Sequence, residues 1–242
     1  MLPIMQRPIY IFDIRNSIKK YFAEFVGTFA LVFAGTGSIV INNLTGQLSH
    51  IGISFVFGLI VLTMIYALGD VSGAHLNPAV TLGFWASYRL ERCLVLPYIL
   101  SQFAGAVFAS AVLHWLFPGD LKLGATQPSG SVVQSFLLEA IMTWLLMFVI
   151  LTVSTGAKEK GIVAGVAIGS VICLEALLGG PVSGASMNPA RSLGPAVITG
   201  HFDFLWIYLL APLLGVLVAV PTCRCIREKG CCAKAEAEES SA

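Results

Sequence analysis

Two twelve-residue stretches decide how this chain is read: SGAHLNPAVTLG at 72–83 and SGASMNPARSLG at 183–194. Each carries Asn-Pro-Ala in the same frame. Asn is a strong N-cap, because its side-chain oxygen accepts from the first free amides of a helix. Pro at the first helical position has no amide to leave unpaired and already holds a helical φ. Asn77-Pro78-Ala79 and Asn188-Pro189-Ala190 therefore each start a helix. The apolar runs they open, 77–86 and 188–198, are ten and eleven residues long. At about 1.5 Å per residue each spans about half of a ~30 Å hydrocarbon core. A surface helix of that length needs a Lys/Arg-rich face, and the only basic residue in either run is Arg191. Re-entrant half-helices, buried in protein at membrane depth, are the better reading.

Working outward, 57% of the 242 residues are hydrophobic and 11% are charged, against about 25% charged in soluble domains. Mean hydropathy is +0.85. So few charges cannot cover a soluble surface, which excludes a soluble enzyme and a disordered chain. A net charge of +1 leaves no footprint for nucleic acid. Runs long enough to cross a bilayer fall at about 21–42, 51–69, 93–117, 132–155, 161–178 and 203–222. That gives an N-terminal arm (1–20), a membrane domain (21–222) and a C-terminal tail (223–242). Lys and Arg gather in the arm, after spans 2 and 4, and in the tail. The positive-inside rule then places both termini in the cytoplasm, in a plasma or inner membrane.

The halves, about 21–117 and 132–222, repeat one another. FAEFVGTFALVF (22–33) aligns with LLEAIMTWLLMF (137–148), and each span carries an early glutamate, Glu24 or Glu139. Three spans per half is an odd number, so the second copy enters from the opposite face. Paired short segments in inverted halves point to a pathway at the midplane. If each Asn oxygen caps its helix, the NH₂ group is left to face what lies ahead. Two opposed N-termini then offer two amide donors and two partial positive charges of about 0.5 each. A water molecule accepting from both must turn its hydrogens away, which breaks a proton wire and disfavours cations.

With these doubled boxes the chain resembles the major intrinsic protein family, aquaporins and aquaglyceroporins. The likeness runs from about 20 to 222, and GPVSGASMNPARSLGPA (180–196) is most similar to nodulin-like intrinsic proteins and their bacterial relatives. The resemblance implies an all-α right-handed bundle of six transmembrane helices plus two re-entrant half-helices, one pore per chain, assembled as a homotetramer. It implies a passive channel for water and small uncharged solutes that excludes protons and ions, without cofactor or metal. It also implies a narrow selectivity filter at Phe57, Ala176, Ala185 and Arg191. Water-selective members have Phe, His, Cys and Arg there. Ala176 and Ala185 should widen the slot and leave one wall apolar, which suits glycerol, urea or hydroxylated metalloids as well as water. Ser192 and Ala196 match water channels, whereas Tyr208-Leu209 departs from them.

Glu24 and Glu139 would each cost about 2.5–3.5 kcal/mol at the bilayer centre, taking Asp as a guide. They must accept hydrogen bonds. Family resemblance assigns them to bracing the re-entrant loops; a proton relay is the alternative. His75 reads as a pore-lining donor or as a packing histidine. Glu175, a lone acid beside Ala176, either accepts from loop amides or reaches the vestibule and pairs with Arg191. Cys93 and Cys173 read as inert packing. The tail cysteines beside basic residues read as palmitoylation sites, as chance cysteines or as adventitious metal binders. Asn43-Leu44-Thr45 is a sequon. Two other functions share the bundle: a proton-coupled secondary transporter, which needs acids facing the cavity, and a non-conducting structural membrane protein. No hydrolytic triad or phosphate loop points to an enzyme.

Overall fold

In a bilayer every backbone polar group must be satisfied within the protein, and apolar runs of this length achieve that as helices. The structure, a computed structural model, describes residues 14–154 and 163–226. Among them are six helices long and apolar enough to cross a membrane, and two short ones. In chain order they are α1 (Ile14–Thr45), α2 (Ser49–Ser72), α3 (Pro78–Ala86), α4 (Arg92–Leu116), α5 (Val132–Val153), α6 (Ala164–Ser183), α7 (Pro189–Thr199) and α8 (Leu205–Ile226). The short helices α3 and α7 are the half-helices expected from the two boxes.

Two boundaries differ from the sequence expectation for physical reasons. α1 begins inside the stretch assigned to the arm, because Lys19 and Lys20 are good helix formers that continue an apolar helix into a polar layer. α6 runs to Ser183, through Pro181. A proline there cannot donate to the carbonyl four residues back. That carbonyl, Leu177, instead takes a hydrogen from His50 Nε2 at 2.9 Å, so the helix continues without an orphan acceptor.

The inverted repeat is visible in the packing. α1 lies on α4 as α5 lies on α8, and α2 of the first half lies against α6 of the second. The half-helices cross over, α3 packing on α8 and α7 on α4. Small residues set the close crossings, as expected where lipid tails give no hydrophobic drive between helices. A Cβ at Gly105 would sit 2.4 Å from the Phe25 carbonyl oxygen, and one at Gly215 would sit 2.4 Å from that of Ala140. These are equivalent positions of the two halves. Gly58 and Gly169 form a third crossing, each 2.6 Å from the other's carbonyl by the same construction.

One side reading is corrected and two others are located. Cys93 is exposed at the start of α4, its thiol 3.5 Å from Glu91 Oε2, and is not apolar packing. Cys223 is buried against the bundle and Cys225 is exposed, whereas Cys231 and Cys232 lie outside the described residues. Asn43 of the sequon lies in the last turn of α1 with its amide donating to Asp120 Oδ2 at 2.9 Å, so the nitrogen that would carry a glycan is engaged.

Candidate functional site

The loops ahead of α3 and α7 are strained in the same way. Gly73 and Gly184 cap α2 and α6 with φ of 87° and 86°. Ala74 and Leu76, then Ala185 and Met187, also hold positive φ between 42° and 52°. Each non-glycine residue there costs roughly 1–2 kcal/mol, so something must hold the loops. The buried glutamates do. Glu24 Oε1 accepts from Ser72 Oγ (2.7 Å) and His75 N (2.9 Å), and Oε2 from Leu76 N and Gln102 Nε2 (both 2.7 Å). Glu139 Oε1 accepts from Ser183 Oγ (2.7 Å) and Ser186 N (2.8 Å), and Oε2 from Met187 N (2.8 Å). Both are fully buried, and neither lines a cavity.

Asn77 Oδ1 accepts from Ala79 N at 2.9 Å, and Asn188 Oδ1 from Ala190 N (2.9 Å) and Arg191 N (3.3 Å). Pro78 and Pro189 occupy the first helical positions. The amide hydrogens are not wholly left over. Asn77 Nδ2 donates to the Met187 carbonyl and Asn188 Nδ2 to the Leu76 carbonyl, both at 2.8 Å. Each asparagine thus ties its own helix to the opposite loop, and the two tips meet. One hydrogen of each NH₂ remains, and both asparagines line the central cavity.

That cavity reaches from the tips past His75, Phe84 and Leu146 to Ser154. A second cavity opens at the other end, past His50, Lys122 and Gln127. The two linings have four residues in common: Phe57, Ala176, Ala185 and Arg191. Arg191 is buried; its Nη1 donates to the Gly124 carbonyl at 2.7 Å, and its guanidinium carbon lies 5.3 Å from the Phe57 ring centroid. Its Nε has no protein partner among the described residues.

Around this centre lie partners that single residues did not announce. His75 lines the central cavity, stacks on Phe84 at 4.5 Å and shares a 3.2 Å bond between Nδ1 and Thr81 Oγ1. Thr81 also accepts from Gln102. In the second half Ser186, Ser192 and Thr126 form the matching hydroxyl chain. Tyr98 and Tyr208 are buried and donate to the Ser72 and Ser183 carbonyls, so Tyr208 supports a loop end. A lone amide such as Gln102 inside an apolar helix is the signal that could have found the first network. Glu175 contradicts both readings offered for it. It is 1% exposed, yet neither carboxylate oxygen has a hydrogen-bond partner among the described residues, from loop amides or from Arg191.

The sequence model of the major intrinsic proteins matches residues 12–221. The chain belongs to the major intrinsic protein family. It is 45% identical to nodulin-26 of Glycine max over 202 residues, 83% of this chain and 74% of that protein. It is 46% identical to aquaporin NIP1-1 of Zea mays, over 83% and 72% of the two chains. The crystal structure of the aquaglyceroporin from Plasmodium falciparum superposes with a TM-score of 0.74 at 26% identity, covering 85% of this chain and 94% of that one. The chain is therefore an integral membrane channel and not an enzyme.

Proposed function

We propose that the chain is a passive pore for water and small uncharged solutes, among them glycerol, urea and hydroxylated metalloids, and that it excludes ions and protons. One observation carries this reading: among the described residues the two cavities share only Phe57, Ala176, Ala185 and Arg191. A solute crossing between them meets an aromatic face, two methyl groups and one cation. Arg191 offers donors to a solute oxygen and repels cations. Two alanines leave room for a carbon skeleton beside it. Beyond them the Asn77 and Asn188 amides each keep one hydrogen for a passing water, whose oxygen then faces both half-helix ends and whose hydrogens turn outward.

The roles assigned above follow from this. Glu24 and Glu139 are loop braces, since their oxygens are filled by donors and face no cavity. That also argues against a proton-coupled transporter, which needs its acids in the pathway. The second cavity is taken as the outer vestibule, with the termini in the cytoplasm of a plasma or inner membrane, by the charge asymmetry of the loops. A homotetramer is proposed from membership of the family alone. The residue ranges 1–20, 21–222 and 223–242 remain the working division into arm, channel and tail.

The test is stopped-flow light scattering of proteoliposomes under sucrose, glycerol and urea gradients. Water and glycerol fluxes that do not saturate and do not depend on a proton gradient are expected. Saturating, proton-driven uptake would establish a transporter instead, and no flux above empty liposomes a structural role.

A further inference from the structure

Glu175 has no part in the pore described so far. It sits in α6 immediately before Ala176, is 1% exposed and lacks a partner on both oxygens among the described residues. Buried carboxyl groups are rarely left so, because desolvating one without a hydrogen bond is costly. Glu175 shares a face of α6 with Gly179, one turn on, where an added Cβ would lie 2.4 Å from Met142 Sδ, and Met142 shares a face of α5 with Glu139, one turn before it.

Comparing the halves residue by residue shows why Glu139 matters. Tyr98 and Tyr208 make the same bond to equivalent carbonyls, and Gly105 and Gly215 make the same close approach. Between these anchors Gln102 of α4 corresponds to Pro212 of α8. Gln102 is the fourth donor to Glu24, on the oxygen that also accepts Leu76 N. Proline has no side-chain donor, so Glu139 Oε2 accepts from Met187 N alone. On α6, Gly169 and Ser183 match Gly58 and Ser72, which sets Glu175 opposite Met64 of α2. The second half has thus lost an amide donor at one position and gained a carboxyl group at another, on the face of α6 that packs toward the helix of the same acceptor.

We propose that Glu175 keeps its proton and donates it through one bridging water toward Glu139 Oε2, as a positioning residue for the loop 184–187. Two carboxyl groups in one buried site do not both ionise. An acid–carboxylate pair meets both deficits at once, giving Glu139 a further donor and Glu175 a partner. The other groups packed around the pair leave this intact. Arg191 on α7 acts on Glu139, Tyr208 on α8 donates to Ser183 O, and His50 on α2 is exposed and committed to Leu177 O. The second brace, unlike the first, then depends on a proton. A folded state that holds this proton binds more protons than the unfolded chain above the ordinary carboxylate range, so its stability falls as pH rises.

The experiment compares wild type, Glu175→Gln and Glu175→Met, the last being the residue of the first half. Infrared spectra of the purified protein at about pH 6 should show the carbonyl stretch of a protonated carboxylic acid that both variants lack. Wild type should melt lower at about pH 9 than at about pH 6, and Glu175→Gln, which donates without titrating, should lose that difference. Glu175→Met should melt below Glu175→Gln by roughly 2–4 °C at the lower pH. An acid band that survives in Glu175→Gln, or equal pH profiles for wild type and that variant, would overturn the proposal. So would equal melting of the Met and Gln variants. A permeability arm rests on the channel reading: water flux should fall at high pH in wild type and stay level in Glu175→Gln. Absence of flux from all three with the spectra and melting as expected would refute the channel and leave the pair standing.

Discussion

Replacing Gly105 by alanine tests how the α1–α4 crossing serves the pore. The added Cβ would lie 2.4 Å from the Phe25 carbonyl oxygen and 3.0 Å from Phe29 N. Both are backbone atoms of α1, which cannot swing aside as a side chain would, so the two helices must move apart by about 1 Å to reach ordinary contact. Overpacking of this kind costs about 1–3 kcal/mol. The same movement stretches the 2.7 Å bond from Gln102 to Glu24, since Gln102 precedes Gly105 on α4 and Glu24 precedes Phe25 on α1. A bond to a charged acceptor is worth about 1.5–3 kcal/mol. Alanine returns up to about 1 kcal/mol as a better helix former. The net expectation is a loss of about 2–5 kcal/mol.

Gly215→Ala repeats the clash against Ala140 O but has Pro212 where Gln102 stands, so only the packing cost applies. Gly69→Ala meets no atom within 4 Å and should be neutral or stabilising. Thermal unfolding of the detergent-solubilised protein, followed by tryptophan fluorescence, should rank the variants in that order. Water permeability in proteoliposomes should fall for Gly105→Ala and not for Gly69→Ala. If Gly105→Ala melts and conducts like wild type, the crossing does not hold the brace and the reasoning fails.

Three further outcomes are expected. Ala176→His places a ring in the wall shared by both cavities and should cut glycerol permeability by roughly an order of magnitude, the scale on which a pocket discriminates by a carbon or two, with a smaller effect on water; equal loss of both in stopped-flow would count against a filter at this position. Glu24→Gln presents an NH₂ to a backbone amide in either orientation, orphaning His75 N or Leu76 N at about 1–3 kcal/mol, and should lower both melting temperature and water flux. Asp120, in the loop after α4, is pushed up by burial, but donors from Asn43, Leu123 and Lys122 outweigh this and hold it below the usual carboxylate range. Its stabilising bonds are therefore present above that range and lost as pH falls through the depressed value, so the melting difference between wild type and Asp120→Asn should shrink on acidification.

The sequence made legible whatever depends on one residue and its neighbours. Length and hydropathy gave six spans, and Asn-Pro gave two helix starts that agree with the structure to one residue. Four side chains carried over from the family pattern are the four that the cavities share. What resisted reading depends on faces. These helices are apolar nearly all round, so no stripe says which side packs and which meets lipid. Cross-loop bonds from Asn77 to Met187 and from Asn188 to Leu76 join residues more than a hundred positions apart, and no local rule pairs them. Glu175 was misread for the same reason: what surrounds a buried side chain is set by the helices packed on it, not by its neighbours in sequence.

The repeat also shows where the two ends of the proposed pathway differ. By the register that equates Gly58 with Gly169 and Ser72 with Ser183, the four shared wall residues have counterparts at Ile168, Ile65, Ala74 and Val80. All four line the central cavity on the far side of the asparagines. The pathway thus carries two equivalent rings, one at each end of the paired half-helices. The first ring sets two alanines beside Phe57 and Arg191, the second has small or aliphatic residues at all four positions, and in charge they differ at one. Arg191 directly follows Ala190 of its box, while Val80 follows Ala79. A charged ring at both ends would impose two desolvation barriers on every solute and trap anions between them. A single cation opposite an uncharged ring selects once and releases freely. In a duplicated scaffold whose backbone geometry stays nearly symmetric, the direction-dependent chemistry is thus concentrated in the side chain one residue beyond each Asn-Pro-Ala.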